Sequence, residues 1–114
     1  MTAIEVKEKL APIPDENWKM GSYSNHIDKC CALGHLHRLE NNDPSNYCFI
    51  PWNPKITTFR EKVNEYLTKE FKLKNWDIAL INDAKKKCPK KYKKIVTPKA
   101  RVLALLEDMI EAGY

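Results

Sequence analysis

The sequence predicts a mainly α, compact single domain over residues 1–114, built of about five helices, with a small two-stranded element left open at 22–27 and 48–50. Three observations point there. Apolar residues recur every three or four positions in several stretches, cap signals precede those stretches, and only three glycines interrupt the chain. Surface scaling gives about 6,500 Å² for the folded chain against about 19,000 Å² for the open one, so a proper core forms without disulfide or metal staples.

Thr2 and Glu5 form a capping box, and Ile4, Val6 and Leu10 supply apolar surface for a first helix that Pro12 and Pro14 end. The stretch 15–21, with Trp18 in it, reads as a turn. Asp28 is placed to cap a helix over 29–40, closed by Asn41-Asn42-Asp43-Pro44, with Ala32, Leu33, Leu36 and Leu39 on its core side. Residues 44–57 carry Tyr47, Phe49, Ile50 and Trp52 between prolines, a composition that predicts a packed loop. Thr58 and Glu61 make a second capping box, and Phe59, Val63, Leu67 and Phe71 predict a helix over 58–72. Asn75 is placed to cap a short apolar helix over 76–81 that exits at Asn82 and Asp83. Thr97 and Pro98 start a last helix and Gly113 stops it; its apolar arc, from Val102 to Ile110, is broad enough for the centre of the fold.

The net charge of +5 is local. Residues 85–94 hold seven lysines and no acid, and removing those seven charges leaves −2 on the other 104 residues. The pattern is a basic loop, 85–96, on a mildly acidic body, which argues against a whole-surface nucleic-acid binder. No apolar run approaches the roughly 20 residues of a membrane span, and the first ten residues lack a signal-peptide layout, so a cytoplasmic protein with no membrane partner is expected. Cys30, Cys31, Cys48 and Cys88 are expected as free thiols. No C-x-x-C or H-x-x-x-H pair accompanies His26, His35 and His37, so neither a metal nor a cofactor is predicted.

Three stretches carry a resemblance: Trp18-x-x-Gly21, then Cys30-Cys31-Ala32-Leu33-Gly34-His35-Leu36, then Ile81-Asn82-Asp83-Ala84 followed by Thr97 and Val102-Leu103-Ala104-Leu105-Leu106. In order, they resemble the Trp-x-x-Gly, Cys-Ala-Leu-Gly-x-Leu and Asn-Asp-Ala blocks of a family of small uncharacterised bacterial and phage proteins. The resemblance implies a helix-rich single domain and directs attention to the cysteine, glycine and Asn-Asp positions, but it names no chemistry. In a phage setting it implies an accessory or counter-defence role, such as blocking an acidic host partner. His35 departs from the small residue usual there, and the lysine segment replaces a brief linker.

On the helical wheel Cys31, Gly34, His35 and Arg38 lie opposite the core stripe of the second helix. A mid-helix glycine has a cost of about 1 kcal/mol relative to alanine, accepted where something must approach closely. One reading is a pocket for a phosphate-bearing ligand, with Arg38 on its anionic group, Trp18 stacking, and Asn82 and Asp83 as acceptors. A second makes Cys31 the nucleophile and His35 the base of a cysteine-dependent hydrolase or transferase. A third fills the space with the protein's own side chains and leaves a structural adaptor. The basic segment, Lys85, Lys86, Lys87, Lys90, Lys91, Tyr92, Lys93 and Lys94, fits nucleic acid or an acidic protein, with Tyr92 offering one stacking ring. Five phosphate contacts there imply a log-affinity slope of about −4 to −5 against log salt. The first expectation is therefore a non-enzymatic binding protein for a nucleotide, a nucleic acid or an acidic partner.

Overall fold

The computed structural model describes residues 1–21, 29–41 and 53–114. Helix α1 (Ala3–Leu10) starts where the capping box places it: Thr2 Oγ1 accepts the Glu5 amide at 3.1 Å, and Ala3, Val6 and Leu10 turn inward. Ile4 stays half exposed. A single 3₁₀ turn, Asp15–Asn17, follows the prolines.

The second helix, α2 (Ala32–Glu40), begins three residues later than the expected 29–40. Cys30 is extended because it pairs in parallel with Trp18: the Lys19 amide donates to the Cys30 carbonyl and the Cys30 amide to the Asn17 carbonyl, both at 3.0 Å. The expected cap Asp28 lies outside the described residues, as do the two candidate strands at 22–27 and 48–50. Among the described residues this bridge is the extended pairing present. Leu39, placed on the core side by periodicity, is 47% exposed.

Helix α3 (Pro54–Phe71) starts four residues before the predicted Thr58. Asn53 is the stronger cap, its side chain accepting the Lys55 and Ile56 amides, and Pro54 sits at the first turn where its missing N–H costs nothing. Thr58 instead turns its hydroxyl back to the Pro54 carbonyl at 2.8 Å. The expected packed loop 44–57 therefore gives its last four residues to the helix, and its described remainder is Asn53.

The short helix α4 (Ile78–Asn82) is capped by Asp77, which accepts the Ala79 amide at 2.9 Å, and not by Asn75, which adopts a left-handed conformation. The basic segment is more than a loop. It turns at 85–88 and winds one helical turn, α5 (Lys90–Lys93), after Pro89. The last helix, α6 (Pro98–Glu111), has Thr97 as its cap and the positive-φ Gly113 just beyond its end, as its sequence requires. It is central, packing against α1, α4 and α5.

The described elements form one mainly α body. The core draws Val6 and Leu10 from α1, Leu33 and Leu36 from α2, Phe59, Val63 and Leu67 from α3, Ile78 and Leu80 from α4, and Val102, Leu105 and Met109 from α6. The radius of gyration is 13.0 Å and the accessible surface 6611 Å², close to the values expected for a close-packed chain of this length. No described helix is long and apolar enough to cross a membrane.

Candidate functional site

The face of α2 opposite its aliphatic stripe is largely covered. Cys31, Gly34 and His35 are all buried. The 3₁₀ turn and the 18–30 bridge bring chain against that face. His35 Nε2 meets the Asn17 carbonyl at 2.8 Å, and its ring tilts against the Trp18 indole with centroids 5.1 Å apart. Trp18 is itself 6% exposed, with its indole N–H donating to the Ile13 carbonyl at 3.3 Å. Trp18 thus seals the core and offers no face for stacking. Trp52 and His26 lie outside the described residues, while His37 is half-buried. Arg38 is half-buried and directs one guanidinium N–H to Cys30 Sγ at 3.6 Å.

Burial sets the electrostatics of the thiol and the imidazole. It pushes the Cys31 thiol above its ordinary pKa, more strongly than the Gly34 and Leu33 amides pull it down, and the nearby Asp83 carboxylate adds to the rise. It also pulls His35 below the usual imidazole value, a shift that the Asn17 carbonyl opposes and Arg38 reinforces. Both groups are held neutral, the reverse of the thiolate–imidazolium pair a cysteine nucleophile uses.

Asn82 and Asp83 work as ties between segments. Asn82 is fully buried; its Oδ1 accepts the Ala32 amide at 3.1 Å and so caps α2 from a distance of 50 residues in sequence. Its amide nitrogen donates to the Lys19 carbonyl at 2.9 Å and to Asp83 Oδ1 at 2.8 Å, and that same Oδ1 accepts the Gly21 amide at 3.0 Å. Arg101, 3% exposed, completes the tie from α6. It donates to the carbonyls of Ile81, Asn82, Ile95 and Val96 at 2.7–3.1 Å, placing a cation on the C-terminal end of α4. Sequence reasoning did not single out Arg101. A lone cation inside an otherwise apolar helical arc is the signal that marks it.

The lysine segment is ordered from beneath. All seven lysines are exposed, whereas Cys88 and Tyr92 are buried. Tyr92 is fully buried, edge-on to Phe71, with its hydroxyl donating to Asp108 at 2.6 Å. It anchors the segment and cannot interleave with the lysines as a stacking ring. Burial together with the Asp108 bond drives its phenol far above the ordinary value. Lys91 pairs with the same carboxylate at 2.8 Å. Burial would raise the Asp108 pKa, but the Lys91 and Tyr92 bonds outweigh it and hold the carboxyl below its usual range.

Beside this segment lies a cleft of about 360 Å³, lined among others by Cys31, Arg60, Trp76, Asp77, Asp83 and Lys85. Its walls come from α2, α3 and α4, and Lys85 is the point where it meets the basic segment. Two of the predicted ligand contacts, Cys31 and Asp83, face it; Trp18, Gly34, Arg38 and Asn82 do not line it. Arg60 sends Nε to Asp77 Oδ2 at 2.8 Å, which neutralises that carboxylate, and Lys85 Nζ sits 5.9 Å from the centre of the Trp76 ring. Periodicity assigned Trp76 to a helix; it precedes α4 and is half-buried at the cleft wall. Among the described residues no group of three or more His, Cys, Asp or Glu side chains is arranged to hold a metal ion. Comparison with protein-family models, curated proteins and solved structures finds no match.

Proposed function

We propose that this is a non-enzymatic binding protein that holds the phosphates of a nucleic acid on its lysine turn. The observation that carries the reading is the mounting of that turn: seven exposed lysines ride on a segment whose Cys88 and Tyr92 are buried in the core and whose Tyr92 is bonded to α6. A mobile tail would lose its freedom on binding. A pinned turn presents its charges with that entropy already lost in folding. Lys91 is partly spent on Asp108, so the remaining six are the working charges. The other 104 residues sum to −2, so the excess of positive charge belongs to this segment.

Fluorescence anisotropy with a labelled oligonucleotide at about 50 mM salt tests the reading. Binding is expected, and the variant K86Q/K87Q/K90Q/K94Q should weaken it by at least tenfold. Unchanged affinity in that variant, or no binding at low salt, removes the proposal. A tight complex with acidic protein in place of oligonucleotide would move it to the alternative partner.

A further inference from the structure

We infer that the cleft beside Lys85 receives an unstacked base on the face of Trp76, so that the nucleic acid held by the lysine turn is single-stranded. The inference rests on the proposed function and extends it. Lys85 belongs to both features: it opens the basic segment, and its ammonium lies over the Trp76 ring at 5.9 Å. That placement shows that a flexible side chain occupies space above the ring. An exposed cation over an aromatic face is held more weakly than a stacked base, so a base can displace the ammonium, which is then released toward the adjoining phosphate.

The platform is rigid where it needs to be. The Trp76 carbonyl is held by Asn64 Nδ2 at 2.9 Å, and the next residue, Asp77, is fixed twice, as the cap of α4 and as the partner of Arg60. The cleft, at about 360 Å³, falls at the small end of ligand sites, a size for a base and not for a duplex. Its charges balance: Arg60 cancels Asp77, and Lys85 and Asp83 offset each other, so the interior carries no net cation to hold a phosphate. Asp83, whose Oδ1 already accepts from Asn82 and the Gly21 amide, keeps Oδ2 as an acceptor for the amino edge of a base. Phosphates are left to the lysines outside. The ring that sequence pattern offered for stacking, Tyr92, is buried, and Trp76 takes its place.

The test compares one labelled oligonucleotide of about a dozen residues as a single strand and as a duplex, using the full chain and its Trp76→Ala and Trp76→Phe variants. The wild-type protein should prefer the single strand. Trp76→Ala should weaken single-strand binding by about 5- to 150-fold, leave duplex binding within about twofold, and be largely rescued by Trp76→Phe. Equal wild-type affinity for the two forms, or an equal loss on both in Trp76→Ala, overturns the inference while the lysine-dependent binding of the proposed function stands. No binding of either form overturns both. Should Trp76→Ala fail to fold, photocrosslinking of a halogenated single strand to the wild-type protein decides the matter. Crosslinks at Trp76 support the inference, and crosslinks confined to 86–94 refute it.

Discussion

Replacing Asn82 by alanine separates a structural tie from a ligand contact, because only the tie predicts a loss of stability. The side chain is fully buried and makes three hydrogen bonds. Truncation leaves the Ala32 amide, at the buried start of α2, without its acceptor, which costs about 1–3 kcal/mol. The two part-buried bonds to Lys19 and Asp83 add about 0.5–1.5 kcal/mol each. Some of this is recovered by relaxation, so a net loss of about 3 kcal/mol is expected, a large part of the roughly 5–15 kcal/mol that holds such a domain together. With a urea m-value of about 1–2 kcal/mol/M, the midpoint should fall by about 2 M. Urea denaturation followed by far-UV circular dichroism measures it, with Lys86→Gln as a surface control expected within about 0.5 kcal/mol of the parent. An Asn82→Ala midpoint indistinguishable from that control would refute the tie and return Asn82 to the list of open ligand contacts.

Tyr92→Phe keeps the buried ring but removes the hydroxyl that donates to Asp108, so it should lower stability by about 1–2 kcal/mol and Tm by about 4–8 °C; an unchanged Tm by differential scanning calorimetry would mean that the bond contributes nothing. His35 and His37 are both held below the ordinary imidazole pKa, chiefly by burial. Their unfolded forms therefore bind protons first. The stability they confer is full above about pH 6.5 and is lost as pH falls from there through their folded-state values, so Tm should drop between pH 7.5 and 5.5. His35→Gln should flatten part of that slope, and an equally steep profile would exclude His35 as a source. Cys30, Cys31 and Cys88 are buried, and the Cys31 thiol is pushed up, so disulfide reagents at neutral pH should modify all three far more slowly in the native protein than in urea. A native Cys31 that reacts faster than the unfolded thiol would restore the nucleophile reading.

Local chemistry was legible wherever a cap and an apolar repeat agreed. Thr2 with Glu5 and Thr97 with Pro98 set the starts of α1 and α6, and the repeat through Phe59, Val63 and Leu67 identified the buried side of α3. Starts were misread where two caps competed: Asn53-Pro54 outranks Thr58, and Asp77 outranks Asn75. Long-range pairing was not legible at all. The start of α2 depends on a bridge to Trp18 and on an acceptor from Asn82, neither of which leaves a local signature. The same limit governed the site. A helical wheel separates aliphatic from polar positions, but it cannot show that Asn17 and Trp18 return to cover His35, and so it read a buried face as an open one. The lysine run was visible as charge; that Cys88 and Tyr92 hold it down became apparent only in the fold.

Whether the lysine turn engages backbone phosphates is decided by the salt dependence of oligonucleotide affinity. For about five phosphate contacts, log K should fall linearly with log salt at a slope of about −3.5 on a single strand, and K86Q/K87Q/K90Q/K94Q should flatten that slope by about 3. A slope near zero, or one that the four substitutions leave untouched, would place the contact elsewhere and contradict the account.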